Sequence, residues 1–280
     1  MAVTEESKKE AEAIKADDGA ETQEEPETLL EAISSICFVL VLGLFAFSFV
    51  FQNFVIPSGS MEKTLLIGDH VVVDRDTFAP PTKWAPFVHY REPRRGDVIV
   101  FLKPNPVPPD PPDIVLVKRL IGVPGDHIHL VQGVVYINGV KQTEPYAAMP
   151  QMTGESADGQ DMYTPARDDF PAYGAPGGST ETWTVDMPSH LDGGDIVVPP
   201  GKFFAMGDNR EHSLDGRFWG FVPRENILGR PMFNYWSFDT TQEAMEGAEA
   251  SFGGRVSSFF QTALHFFDKT RWKRTLHLIK

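Results

Sequence analysis

Between Ile33 and Phe51 the chain carries no charged side chain and few polar ones. As a helix this run is about 28 Å long at about 1.5 Å per residue, close to the roughly 30 Å hydrocarbon core of a bilayer. It lacks the polar stripe that a soluble surface helix needs. A cleavable signal peptide has a basic start and a shorter apolar core, whereas the residues before this run are acidic. The run therefore predicts an uncleaved transmembrane anchor over residues 33–53. Residues 1–32 hold 11 Asp/Glu against 3 Lys and few large apolar side chains, which predicts an acidic disordered tail. The positive-inside count decides nothing, with Lys15 upstream against Lys63 and Arg75 downstream. Cys37, the single cysteine, lies within the run and can form no internal disulfide.

Beyond the anchor the pattern is that of strands. Short runs rich in Val and Ile cover His70–Arg75, Asp97–Leu102, Ile114–Leu120 and Val134–Ile137, each bounded by Gly, Pro or Asp. Asn138-Gly139 predicts a tight hairpin turn. Further strands are expected at Thr182–Val185 and Lys202–Met206. No sustained amphipathic helix is visible between residues 55 and 240, so a mainly β, antiparallel body is expected over 54–240. Lys103–Asp113 is proline-rich and reads as a stiff loop. Residues 141–200 are rich in Pro, Gly, Asp and Ser and read as an insertion with little periodicity. The hydrophobic content of 41% suits one globular body with one membrane segment, and the net charge of −14 argues against nucleic acid as a partner.

Two residues suggest chemistry. Ser60 follows the anchor closely, in Ile56-Pro57-Ser58-Gly59-Ser60-Met61, and Lys118 ends the apolar run Ile114-Val115-Leu116-Val117. A serine hydroxyl needs a base, and a lysine serves only when neutral. Bringing its pKa from about 10.4 to roughly 7–8 takes about 4 kcal/mol, which desolvation can supply. Arg119 does not interfere, because neighbouring strand residues point to opposite faces. On the strand alone, a lysine reaching into water is the plainer reading of Lys118.

Three segments in order change that balance: Ser58-Gly59-Ser60-Met61, Lys118-Arg119 with Gly122-Val123-Pro124-Gly125-Asp126, and Gly207-Asp208-Asn209-Arg210 with Ser213, Asp215 and Arg217. Together they resemble the type I signal peptidases of bacteria, membrane-bound serine endopeptidases that remove signal peptides from exported proteins. The resemblance implies Ser60 as nucleophile, Lys118 as general base, Ser58 beside the oxyanion and Ser213 on the lysine amine. It makes Asp97, Asp208, Asn209, Arg210, Asp215 and Arg217 structural neighbours of the site. It also implies a cytoplasmic N-terminus, an exported catalytic body and an acyl-enzyme mechanism without metal or other cofactor. Its substrates are preproteins with small residues before the cut, with export machinery as a further partner. Gly59 is expected to allow a turn forbidden to other residues. Ile56, Pro57, Met61, Leu65, Leu116 and Val117 are candidates for a shallow pocket, each equally readable as core. A substrate strand is expected to add to the sheet edge beside the lysine.

One departure stands out. The family usually reads Met-x-Pro-Thr after the nucleophile, and here it is Met61-Glu62-Lys63-Thr64. Ser60-Met61-Glu62-Lys63 also fits the S-x-x-K of penicillin-binding proteins, but the required S-D-N and K-T-G segments are missing. His127 and His129 alternate on one strand face and are solvated histidines or a metal pair. His212 beside Ser213 invites a Ser-His-Asp triad, although adjacent residues rarely face each other. Residues 241–280 are expected to form a basic amphipathic tail. From Ser251 onward it has six Lys/Arg and one Asp interleaved with Phe259, Phe260, Phe266, Phe267 and Trp272. Such a segment suits an anionic lipid surface, or else a terminal helix packed on the body.

Overall fold

The computed structural model describes residues 28–49, 51–81, 89–104, 113–149, 163–249 and 251–279. The chain divides into two compact units, Met1–Phe47 and Ser48–Lys280. The expected acidic tail lies outside the described residues up to residue 27.

Helix α1 spans Leu29–Phe49, four residues earlier than the uncharged run suggests. A capping box sets its start: Thr28 N donates to Glu31 Oε2 at 2.9 Å and Glu31 N donates to Thr28 Oγ1 at 3.4 Å. Its apolar side chains are exposed all round, among them Ile36, Phe38, Leu40, Leu42 and Leu44. Among the described residues no helix is long and apolar enough to cross a membrane. The side chains of residues 46–50, inside the expected anchor, lie outside the described residues. Residues 51–53, expected to complete the anchor, instead begin strand β1, Phe51–Val55.

Unit Ser48–Lys280 is mainly antiparallel β. Strands β2 (Asp69–Asp74), β3 (Val98–Leu102) and β4 (Val115–Gly122) follow β1, then β5 (His127–Val131), β6 (Val134–Ile137) and β7 (Val140–Lys141). Short helices α2 (Pro165–Asp168) and α3 (Glu181–Asp186) precede β8 (Leu191–Asp192), β9 (Asp195–Val197) and β10 (Lys202–Met206). Helix α4 (Gly216–Trp219), β11 (Val222–Pro223) and the long β12 (Ile227–Ser237) complete the β body. Helices α5 (Gln242–Glu249), α6 (Phe252–Leu264) and α7 (Phe266–Lys269) and strand β13 (His277–Leu278) form the C-terminal extension.

One sheet runs β1-β2-β12-β3-β4-β10-β11 with β13 on β12, and the other runs β7-β6-β5-β9-β8. β12 pairs with β3 at its start and with β2 along the rest, with ladder shifts around Gly229, Pro231 and Asn234. Pro231 lacks an N–H and bulges bend a strand, so this element can serve both neighbours. A Cβ at Gly229 would stand 2.2 Å from the Asp74 carbonyl oxygen, so only glycine allows the crossing. Asn138 and Gly139 both take positive φ, 53° and 76°, and turn β6 into β7 as the sequence predicts.

Two expectations fail. Thr182–Val185, read as a strand, lies in α3: Thr180 Oγ1 accepts from Trp183 N, and Trp183 is buried with Nε1 donating to Arg217 O at 3.0 Å. A cap and an anchored tryptophan outweigh the β propensity of Thr and Val. The stretch 141–200 is not an irregular lobe where it is described. β9 pairs with β5, and Phe170, Trp183 and Met187 join the core of the second sheet. Residues 150–162 and 105–112, within the two expected loops, lie outside the described residues.

Candidate active site

After β1 the chain passes Ile56 and Pro57, takes an extended conformation at Ser58 (φ −132°, ψ 155°) and winds into one 3₁₀ turn over Gly59–Met61. Apolar residues pin this turn. Ile56, Met61 and Leu65 sit in a core cluster with Val71, Val73, Val98 and Val100. Met61 and Leu65, 1% and 0% exposed, are core residues rather than pocket lining, while Pro57 is exposed and Leu116 and Val117 are half-buried. Gly59 needs no special conformation: it is absent from the positive-φ residues, and an added Cβ would meet only Glu62 Oε2 at 3.6 Å.

Lys118 lies opposite Ile99 in the β3–β4 ladder and is 3% exposed. Its Nζ is 2.6 Å from Ser60 Oγ, the amine donating to the hydroxyl. Ser58 Oγ lies 3.5 Å from the same oxygen. Burial draws the Lys118 amine down from 10.5 to about 8; Asp215 and Asp208 pull it back up and Arg217 presses it further down. Those carboxylates act at a distance because each is already engaged. Asp215 accepts Arg217 Nε and Nη2 at 2.9 Å and Gly207 N at 3.0 Å. Asp208 accepts Arg119 at 2.8 and 2.7 Å and the Thr64 hydroxyl at 2.5 Å. The Asp215 carboxyl is held below its usual range: burial opposes this, and Arg217 and the Gly207 N–H outweigh it.

The loop after β10 grips the turn that carries Ser60. Asn209 N donates to Ser60 O at 3.1 Å, and its side-chain amide donates to Gly59 O and Glu62 Oε2 at 3.4 Å. A Cβ on Gly207 would stand 2.2 Å from Ser213 Oγ and 2.5 Å from Ser60 O, so glycine lets the loop close on the turn. Arg210 is fully buried and forks onto Glu144 at 2.9 and 2.5 Å. Ser213 Oγ is buried without a hydrogen-bond partner among the described residues, so the expected bond to the lysine amine is not formed. Asp97 pairs instead with Arg91 at 2.6 and 2.8 Å and accepts Arg94 N, stabilising the lead into β3. Ser58, Gly59, Asn209 and Ser213 line a cleft of about 560 Å³.

Thr64 and Glu144 belong to this frame without having been singled out in the sequence. Thr64 carried a signal as the last residue of Met61-Glu62-Lys63-Thr64. Glu144 had none, since its partner is 66 residues away.

The competing arrangements are not assembled. Lys63 Nζ donates to Ala147 O at 3.1 Å rather than to Ser60, and its φ of 81° is inaccessible to the proline usual there. His129 Nδ1 pairs with Asp195 at 2.7 Å and its ring stacks on Tyr136. His212 is exposed, and among the described residues no cluster of three His, Cys, Asp or Glu could hold a metal.

A serine in contact with a buried lysine on a β body has the parts of a nucleophile and a base, and comparison with known proteins identifies the family. The sequence matches the profile of signal peptidase, peptidase S26, over residues 29–236. It is 30% identical over 209 residues to a probable signal peptidase I-2 of Synechocystis sp., covering 75% of this chain and 74% of that protein. Signal peptidase I of Leptolyngbya laminosa is 30% identical over 74% of this chain and 80% of its own length. Signal peptidase I of Rickettsia typhi is 29% identical over 77% and 83%. The chain belongs to the signal peptidase family, peptidase S26, and is a serine endopeptidase.

Proposed function

We propose that the chain removes signal peptides from exported preproteins at a bacterial membrane, with Ser60 as nucleophile and Lys118 as general base. The observation that carries this reading is the 2.6 Å contact between Lys118 Nζ and Ser60 Oγ inside an apolar wall. The relatives named above are signal peptidases I, which supports the substrate class. In its neutral form Lys118 takes the hydroxyl proton as Ser60 Oγ bonds to the scissile carbonyl carbon. The oxyanion is received by the Ser60 N–H and the Ser58 hydroxyl. The lysine ammonium then protonates the leaving amine, the C–N bond breaks, and an ester to Ser60 remains. Water attacks that ester, its proton passes to Lys118, and Ser60 leaves with a proton from the ammonium. No step calls for a metal or other cofactor.

Substrate placement follows from the sheet. β10 pairs with β4 only from Arg119 onward, so among the described residues Val115–Lys118 is unpaired on that side. An extended preprotein segment adding there meets Leu116, Val117 and Pro57, and its scissile carbonyl reaches Ser60. The apolar, exposed side chains of α1 support a membrane anchor, and membership of the signal peptidase family supports a cytoplasmic N-terminus with the body on the exported side. Ser60→Ala should reduce cleavage of a purified model preprotein by on the order of 10⁴-fold or more, measured with the full chain in detergent. Cleavage within tenfold of the parent would overturn the assignment of the nucleophile.

A further inference from the structure

Helix α6 is turned inside out relative to a helix packed on a globular body. At 3.6 residues per turn, Phe252, Val256, Phe259, Phe260 and Leu264 share one face. That face points outward, with exposures of 82%, 41%, 69%, 60% and 79%. The small and polar Gly254, Ser257, Ser258, Gln261 and Thr262 lie on the other side and line a cavity of about 740 Å³. Phe267 and Trp272, stacked 6.4 Å apart and 79% and 53% exposed, continue the apolar stripe past the helix end. The stripe is not free to fold back. Arg271 and Arg274 reach Asp69 in β2, β13 pairs with β12, and Ile279 is buried in the core cluster that holds Met61. Two of the cations expected to meet lipid are therefore partly committed to the body.

The remaining charges indicate what covers this face. Arg255, Lys269 and Lys273 are exposed beside the stripe. The one carboxylate between Ser251 and Ile279, Asp268, is engaged by His265 at 3.0 Å. Aromatic residues flanked by exposed cations fit the boundary between headgroups and acyl chains of an anionic bilayer. A second copy fits less well, because a twofold pairing of this face would bring the cations of both chains together. The family match ends at residue 236, so the surface lies outside the matched residues.

We propose that the outward face of α6, with Phe267 and Trp272, docks in the surface of an anionic lipid bilayer. A nitroxide label tests this in the full chain, reconstituted in vesicles of phosphatidylethanolamine and phosphatidylglycerol after Cys37→Ser. Attached at Phe259→Cys or Leu264→Cys, it should collide more with dissolved oxygen than with an aqueous nickel chelate. At Glu246→Cys in α5, the order should reverse. All three are surface positions, so the substitutions remove no buried contact. The proposal is overturned if labels at 259 and 264 meet the nickel chelate as freely as the label at 246. Dipolar broadening between labels would overturn it in favour of a second copy, and protection from both collision partners in favour of a protein cover. No peptidase activity enters the readout, so this outcome is independent of the catalytic assignment.

Discussion

Lys118 and Arg119 are neighbours in β4, both buried, on opposite faces, and their environments could hardly differ more. Arg119 forks onto Asp208, donates to Gly96 O at 2.7 Å and stacks over Tyr146 at 3.8 Å. Among the described residues, Lys118 has one hydrogen-bond partner, the Ser60 hydroxyl. Burial with a counter-ion yields a fixed strut, whereas burial without one yields an amine that loses its proton near neutrality. The strand thus carries an ion-paired strut on one side and a desolvated amine on the other. Desolvation is the common cause, and the placement of Asp208 separates the outcomes.

Exchanging each cation for an isosteric apolar chain should separate these roles most sharply. Lys118→Met should abolish preprotein cleavage, by on the order of 10⁴-fold or more, yet stabilise the protein. With the amine drawn down from 10.5 to about 8, its burial costs about 3 kcal/mol at neutral pH. The folded state binds fewer protons than the unfolded one between those values, so parent stability rises with pH across that window. The gain from Lys118→Met should therefore be complete below pH 8 and vanish towards pH 10.5. Arg119→Met should do the reverse. It leaves Asp208 buried with an unpaired charge and should cost about 3–5 kcal/mol. Chemical denaturation of both variants across pH decides the matter, and equal losses of stability would erase the distinction.

The pH dependence of the rate tests the same contrast at lower amplitude. If neutral Lys118 is the base, kcat/KM for preprotein should rise about tenfold per pH unit and level off above about 8. A profile flat from pH 6 to 9 would remove Lys118 as the titrating base.

Local pattern made one side of this contrast legible and left most of the other hidden. The apolar run before Lys118 is visible in four letters, and the ordered segments around Ser60 and Ser213 indicated the partners. The strands at 70–75, 97–102 and 202–206 were readable because each is short, β-branched and bounded by turn residues. The frame was not, because its bonds join distant residues: Thr64 to Asp208, Arg210 to Glu144, Arg274 to Asp69. α3 was misread because the decisive contacts, the Thr180 cap and the buried Trp183, oppose the propensity of Thr182, Thr184 and Val185. The proline in β12 obscured the strand that links the two halves of the larger sheet, and the C-terminal residues gave no sign that they would pair with it.

Ser213 should show the smallest effect, and it tests whether the face of Lys118 is wholly apolar. Its hydroxyl is buried, lacks a partner among the described residues, and is packed through Gly207 against the backbone of Ser60. An unsatisfied buried hydroxyl costs about 1–3 kcal/mol, so Ser213→Ala should leave stability unchanged or raised. If Lys118 is the base, the amine becomes an ammonium with protons to donate during the reaction, and the Ser213 hydroxyl is a buried acceptor without a partner among the described residues. Removing it should disfavour the ammonium, slow cleavage by roughly tenfold, about 1.4 kcal/mol, and move the rate profile to lower pH. Ser213→Thr, which keeps the hydroxyl, should recover part of the rate if the added methyl is accommodated. Together, a slower rate and an acid-shifted profile would make Ser213 a positioning residue for Lys118. An unchanged profile, whatever the rate, would leave it as packing beneath Gly207 and the lysine wall apolar throughout.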